Sequence, residues 1–245
     1  MKKYLEKLLC LALVLVLALS VFGTVQVSAA EEEDDDYINW TFHYATNDKT
    51  KEFKGEEGNT VIANCFYQRL VFTGFSKGIK KINKTLKKLS KSFDYSGLYS
   101  YAEEDAKLGR DRVIYDDYTM QEIHSVGEHY VSVVVSRYWW AGGVSNSFCD
   151  GYTFDTKTGK LIKPSKITGL SFKELKNKFK KAIESDPDYI ADSGYFDLDA
   201  FLDGLKESDV NYYINGDEFV VIIPPYTLGG GWYRTYVLDG VSVNY

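Results

Sequence analysis

The stretch YTMQEIHSVGEHYVSVVVSRY, residues 118–138, decides the fold. Tyr118–Val126 and Tyr130–Tyr138 are extended runs, and Gly127-Glu128-His129 between them is a hairpin signal. In the second run Val131, Val133 and Val135 alternate with Ser132, Val134 and Ser136, the two-residue period of a strand. Outward from this hairpin the same period recurs. Trp40, Phe42 and Tyr44 alternate with Thr41 and His43 in a half-buried strand over Tyr37–Tyr44, and Thr60–Thr73 is a further extended segment. Asn146–Asp155 and Leu161–Pro164 flank Thr156–Lys160, where Gly159 suits a positive φ, and predict another hairpin. Glu218–Ile223, Trp232–Leu238 and Val241–Val243 close the series.

Helical spacing interrupts it. Ser76 can cap a helix running to Phe93, with Ile79, Ile82, Leu86, Leu89 and Phe93 on one face and lysines over the rest. Ser171 and Glu174 form a capping box for a second helix, lined by Phe172, Leu175, Phe179 and Ile183 and ended by Pro187. Phe201 and Leu205 suggest a short third helix over roughly 197–206. Residues 45–59 read as a polar loop, and the tyrosine-rich 94–110 as irregular chain. The expectation is an α+β fold, an antiparallel β-sheet with two or three helices packed against it.

The first thirty residues set the compartment. Lys2, Lys3 and Lys7 precede an apolar run from Leu8 to Phe22, and Val27-Ser28-Ala29-Ala30 offers small residues at a cleavage site. Residues 1–30 therefore read as a secretory signal peptide, with an uncleaved anchor as the alternative. Cys10 lies at the start of the run, which argues against a lipoprotein anchor. The Glu/Asp run at 31–36 reads as a solvated, disordered spacer. Residues 37–245 form the globular part, divisible into 37–110 and 111–245. Removing the leader, with its three lysines and one glutamate, takes the formal net charge from −6 to −8. No second run is long enough for a membrane span. An acidic chain is a poor nucleic-acid binder, and leaves cationic proteins as plausible ligands. Two cysteines, Cys65 and Cys149, survive processing; they form one disulfide or remain two buried thiols.

Motifs for catalysis and cofactors are missing. His43, His124 and His129 stand in no zinc-binding spacing, and no Cys-x-x-Cys occurs. There is no Gly-x-Ser-x-Gly elbow, and Gly229-Gly230-Gly231 lacks the Lys-Ser/Thr and the helix of a phosphate loop. No catalytic residue, metal site or cofactor is expected. What stands out is aromatic. Tyr138-Trp139-Trp140-Ala141-Gly142-Gly143 ends a strand with three successive rings that one core cannot take, and Pro224-Pro225-Tyr226 interrupts another strand. Rings on loops beside glycines serve recognition surfaces; the alternative is a second small core under a long loop.

These segments, with Gly151-Tyr152-Thr153-Phe154-Asp155-Thr156-Lys157-Thr158-Gly159-Lys160 and Tyr213–Phe219, come in an order that resembles one extracellular module. It is the RsiV-like domain, of uncharacterised function, shared by the lysozyme-sensing anti-sigma factor RsiV and the N-terminal region of some peptidoglycan deacetylases. The resemblance covers roughly 37–245 and implies an α+β fold and extracellular binding. It also implies ligand contact through Pro224 and Tyr226, beside a loop that includes Trp139, Trp140, Gly142, Gly143 and Ser145. Many members have a histidine after the Gly-Gly turn, where this chain has Ser145. With seven residues before the apolar run, no sigma-binding segment is expected. The expected function is a non-catalytic, secreted or envelope-associated binding domain for lysozyme or another wall-related ligand. The alternative is an anionic cell-wall-polymer binder using the lysine helix, and an unrecognised wall hydrolase ranks last.

Overall fold

The computed structural model describes residues 40–90, 95–110, 113–192, 196–228 and 231–245. The leader, the acidic spacer, Tyr37–Asn39, Phe93 and Gly229-Gly230 lie outside the described residues. Two sheets form. The larger has the order β1 (Thr41–Asp48), β3 (Thr60–Thr73), β4 (Ile114–Val126), β5 (Tyr130–Ala141), β6 (Val144–Asp155), with β2 (Lys51–Lys54) also pairing β3. The smaller is β7 (Tyr212–Asn215), β8 (Glu218–Ile223), β9 (Arg234–Val237). The fold is α+β.

The hairpin predicted around residue 127 and a second one, turning at Gly142-Gly143, are the spine. β4 and β5 pair from Val126↔Val131 to Tyr115↔Ala141, with a bulge at Ile123/Ser125. The sheet is mixed, because β3 and β4 run parallel from Ile62↔Ile114 to Tyr67↔Thr119. A parallel pair needs a long crossover. Residues 74–113 supply it with two helices, α1 (Lys77–Leu89) and α2 (Tyr95–Lys107). The second was expected as irregular chain. Its buried residues include Ala102, Asp105 and Ala106, so it packs through small side chains without a bulky apolar stripe. The polar stretch before residue 60 likewise holds β2, anchored by the single buried ring of Phe53.

Both helices cover one face of the large sheet. Ile79, Ile82 and Leu86 of α1 pack on Leu70, Phe72, Val131, Val133 and Phe154. Ala102 and Ala106 of α2 pack on Val61, Ala63 and Tyr115. Ser76 caps α1 by accepting from the Ile79 amide. The second core lies between the small sheet and α3 (Pro164–Thr168), α4 (Phe172–Glu184), α5 (Pro187–Asp192) and α6 (Leu198–Gly204). The capping box of Ser171 and Glu174 starts α4. α4 ends at Ser185, and Pro187 opens α5. Asp155–Lys160 turns as expected, but the return strand is a single bridge, Phe154↔Leu161, before Pro164 starts α3. Val241–Val243 is not a strand.

The sheets join across edge strand β6. Asn211 donates to the Cys149 and Asp150 oxygens and accepts the Gly151 amide at 2.7 Å. A Cβ on Gly151 would lie 2.1 Å from the Tyr212 carbonyl oxygen, so only glycine permits this approach. Ser132 Oγ accepts the Ile214 amide at 2.8 Å, while Val134, Cys149 and Ile222 close the seam.

Cys65 and Cys149 are both free and buried, so the bridged alternative is not the one realised. Their strands, β3 and β6, have β4 and β5 between them. Three strand spacings are about 14 Å, against the roughly 6 Å that a disulfide spans between Cα atoms.

Candidate functional site

The aromatic segment forms the last part of β5 and its turn. Trp139 pairs with Asn146, Trp140 with Ser145 and Ala141 with Val144. Gly142 and Gly143 are the two turn residues, with φ of 63° and 150°, conformations that cost glycine little. The tip is supported from beneath: a Cβ on Gly142 would touch the Tyr115 hydroxyl at 3.0 Å. Tyr115 in turn donates to Asp105 at 2.6 Å, and Arg110 donates to the same oxygen at 3.1 Å.

Strand alternation parts the two tryptophans. Trp139 belongs to the helix-covered face, and Tyr138 and Trp140 to the opposite one; all three are half-buried. Hence the segment neither fills one core nor stands free in solvent. The structure brings together Trp140, Ser145, Gly142 and Gly143, and sets Trp139 on the other side.

Pro224-Pro225-Tyr226 follows β8 directly. Ile223 and Leu228 are buried on either side, and the Thr227 amide bonds back to the Pro224 carbonyl at 3.3 Å. Between these anchors Tyr226 is 68 % exposed and has φ of 66°, the only non-glycine among the described residues in that region. A left-handed tyrosine costs roughly 1–3 kcal/mol, and such outliers concentrate at ligand-contacting positions. Its hydroxyl accepts from Asn146 Nδ2 at 3.4 Å, which sets Tyr226 beside the edge strand at the level of the Trp139–Asn146 pair. Trp232, 57 % exposed, lies on the same connection.

No linear pattern announces the neighbouring platform. On the face of Trp140, register aligns Phe66, Tyr118 and Tyr138 across β3, β4 and β5. Tyr118 stacks on Tyr138 at 6.3 Å between ring centres and meets Phe66 at 6.4 Å. Asp116, aligned with Trp140, accepts from Asn64 at 2.9 Å and from the Tyr118 hydroxyl at 3.1 Å. Its carboxylate is thus fixed beside the rings. Met120, exposed, continues the row. These residues are half-buried or exposed, since the small sheet covers this face only near Ser132 and Val134. The surface offers flat rings, hydroxyls and one oriented carboxylate, a set suited to contact with a cationic or sugar-bearing partner.

The opposite face carries a buried polar row. Cys65, Asp117 and Trp139 align, and Tyr67, Thr119 and Arg137 align beside them. Asp117 is 4 % exposed and takes a 3.3 Å hydrogen bond from Tyr67 on one oxygen. Its other oxygen and Thr119 Oγ1 have no hydrogen-bond partner among the described residues. Burial pushes the Asp117 carboxyl up to about 7 against the opposing Tyr67 bond. Arg137 pairs with Asp150 at 3.3 Å.

The histidines stay dispersed: His124 lies edge-on to Tyr213 and His129 pairs with Glu128. Among the described residues no three His, Cys, Asp or Glu side chains gather as metal ligands, and no helix is long and apolar enough to cross a membrane.

No protein-family model and no curated protein matches the chain. Solved structures that it resembles include a DUF3298 family member from Bacteroides fragilis, at TM-score 0.49 and 10 % identity over 83 % of this chain and 94 % of that one. Another is a DUF3298 family protein from Pseudomonas aeruginosa, at TM-score 0.46 and 10 % identity over 85 % and 95 %. The structural neighbours are thus members of DUF3298, the family of the RsiV-like domain.

Proposed function

We propose that this chain is a secreted, envelope-associated binding protein, without catalytic activity, that takes lysozyme on the aromatic tip of the β5–β6 hairpin, which carries Trp140, and on Tyr226 beside its edge strand. The observation that carries the reading is Tyr226: an exposed ring, held between two buried anchors in a backbone conformation that costs energy, beside the tip of an aromatic hairpin. Rigid aromatics of this kind bind with little loss of side-chain entropy. The net charge of −8 expected after leader removal favours a cationic partner and fast, salt-sensitive association.

The test is titration calorimetry with lysozyme at low ionic strength, using the intact protein and Tyr226→Ala. Loss of a hot-spot tyrosine costs about 2 kcal/mol or more, or roughly thirtyfold in Kd, and that is the loss expected here. The side chain is exposed, so Tyr226→Ala keeps its unfolding free energy within about 0.5 kcal/mol of the parent. Absence of a complex at low salt, or equal affinity in the variant, defeats the reading.

A further inference from the structure

We infer that the exposed face of α1 is a second binding surface, which takes a linear phosphate-bearing polyanion. The helix reads KGIKKINKTLKKL and contains no acidic residue. Lys77, Lys80, Lys81, Lys84, Lys87 and Lys88 are all exposed. At 100° per residue, Lys77, Lys81, Lys84 and Lys88 fall on one line, about 16 Å long at 1.5 Å per residue. Lys80 and Lys87 flank it.

Local physics argues against such a face forming merely to keep the helix in solvent. Lysines three and four residues apart repel one another on a helix surface. Lys77 and Lys80 also stand in the first turn, where the helix end favours carboxylates and none occurs.

The contrast with α4, which holds five lysines to the six of α1 over the same length, is informative. There Lys176 donates to the Leu202 carbonyl, Lys178 to the Asp239 carbonyl, and Lys180 pairs with Asp199 and Glu184. Those charges are satisfied inside the fold. On α1 only Lys81 makes such a bond, to the Thr158 carbonyl at 3.2 Å, and no ion pair to a carboxylate forms among the described residues. The turn carrying that carbonyl adds exposed Lys160 nearby.

Geometry selects the occupant. The apolar side chains of α1, Ile79, Ile82 and Leu86, are sunk in the core, which leaves nothing to insert into a bilayer except Phe75 at the helix entrance, 99 % exposed. A lipid surface needs a larger apolar contribution. A flexible chain of phosphates needs only the line of charge.

The experiment measures binding of fluorescein-labelled inorganic polyphosphate to the purified protein by anisotropy, across a salt series. The variants are Lys77→Gln, Lys84→Gln and Lys88→Gln combined, and a control with Lys173→Gln, Lys178→Gln and Lys181→Gln that removes the same charge from α4. Circular dichroism confirms that each is folded. The parent is expected to bind with a log–log salt slope near −4, at about 0.7 per neutralised charge. The α1 triple variant should lose at least tenfold in affinity, with the slope shallower by about 2, while the α4 control stays within twofold of the parent. No binding at low salt, or equal loss in the two variants, overturns the proposal. So does binding to phosphatidylglycerol vesicles with none to polyphosphate. Lysozyme binding at the aromatic surface is a separate readout and is not weakened by the α1 variant, which takes the expected net charge from −8 to −11.

Discussion

Replacing Asp117 by asparagine should stabilise the protein at alkaline pH and leave it unchanged near pH 4. The carboxyl is buried in the sheet with one oxygen unpartnered, and burial raises it to about 7 from an ordinary 3.8. Below pH 4 it is protonated in both the folded and unfolded states, so its charge costs nothing. Between 4 and 7 the unfolded chain releases the proton while the folded protein keeps it, so stability falls as pH rises. Above 7 the full cost remains, about 4 kcal/mol when each tenfold in proton affinity is worth 1.36. The Asp117→Asn side chain keeps the shape and carries no charge, and we expect the variant to recover about 2–4 kcal/mol at pH 8. Other carboxylates have the opposite sign. Against the upward push of burial, hydrogen bonds from Tyr245 and Thr158 hold Asp155 low, and those from Tyr236 and the Asp188 amide hold Asp186 low. Both lose stability as pH falls below about 4, equally in parent and variant, and cancel in the difference. Urea unfolding followed by tryptophan fluorescence at pH 5, 6, 7 and 8 gives that difference directly. A value independent of pH, or a variant less stable at pH 8, refutes a buried, desolvated Asp117.

Two further outcomes follow from the packing. Gly151→Ala brings a Cβ into the Tyr212 carbonyl at 2.1 Å, so the small sheet must move off β6; a loss of about 2–3 kcal/mol in urea unfolding is expected, and a loss under 0.5 contradicts the close approach. Burial pushes the Cys149 thiol up to about 12 and that of Cys65 up as well, with neighbouring carboxylates adding to both. Neither should react with an aromatic disulfide reagent in the native protein near pH 8, and both should react in guanidinium chloride; rapid native labelling refutes the burial.

The elements visible in the sequence are those whose side chains carry their own period. β3 and β4 alternate over most of their length, β5 is a valine-rich run beyond a turn, and α1 and α4 show both a cap and an apolar stripe, so pattern and structure agree within a few residues. α2 escapes notice because it buries alanines and Asp105, which leave no stripe, and β2 because a single Phe53 does not make a pattern. The parallel pairing of β3 and β4 has no local signature, since the crossover helices that enforce it lie outside either strand. The site is half legible for the same reason. Three rings in a row at Tyr138–Trp140 are visible to the eye, whereas the ladder Phe66–Tyr118–Tyr138 exists only once register has brought residues some fifty positions apart onto one face. The exposure of Tyr226 can be anticipated from the prolines before it; its left-handed backbone cannot.

β5 links the two surfaces and also fixes how they relate. α1 packs over Val131 and Val133 near the start of this strand, and Trp140 lies near its end. Seven residues of extended chain separate Val133 from Trp140, about 23 Å. The two surfaces therefore sit at opposite ends of one hydrogen-bonded strand, flanked on both sides by β4 and β6. A strand held by two neighbours has no second packing arrangement to switch into, and coupling between sites needs such an alternative. Effects at the lysine face and at the aromatic tip should then add independently. A protein carrying both Tyr226→Ala and the α1 substitutions should show each loss undiminished, lysozyme and polyphosphate being titrated separately at an ionic strength that screens the charge removed from α1.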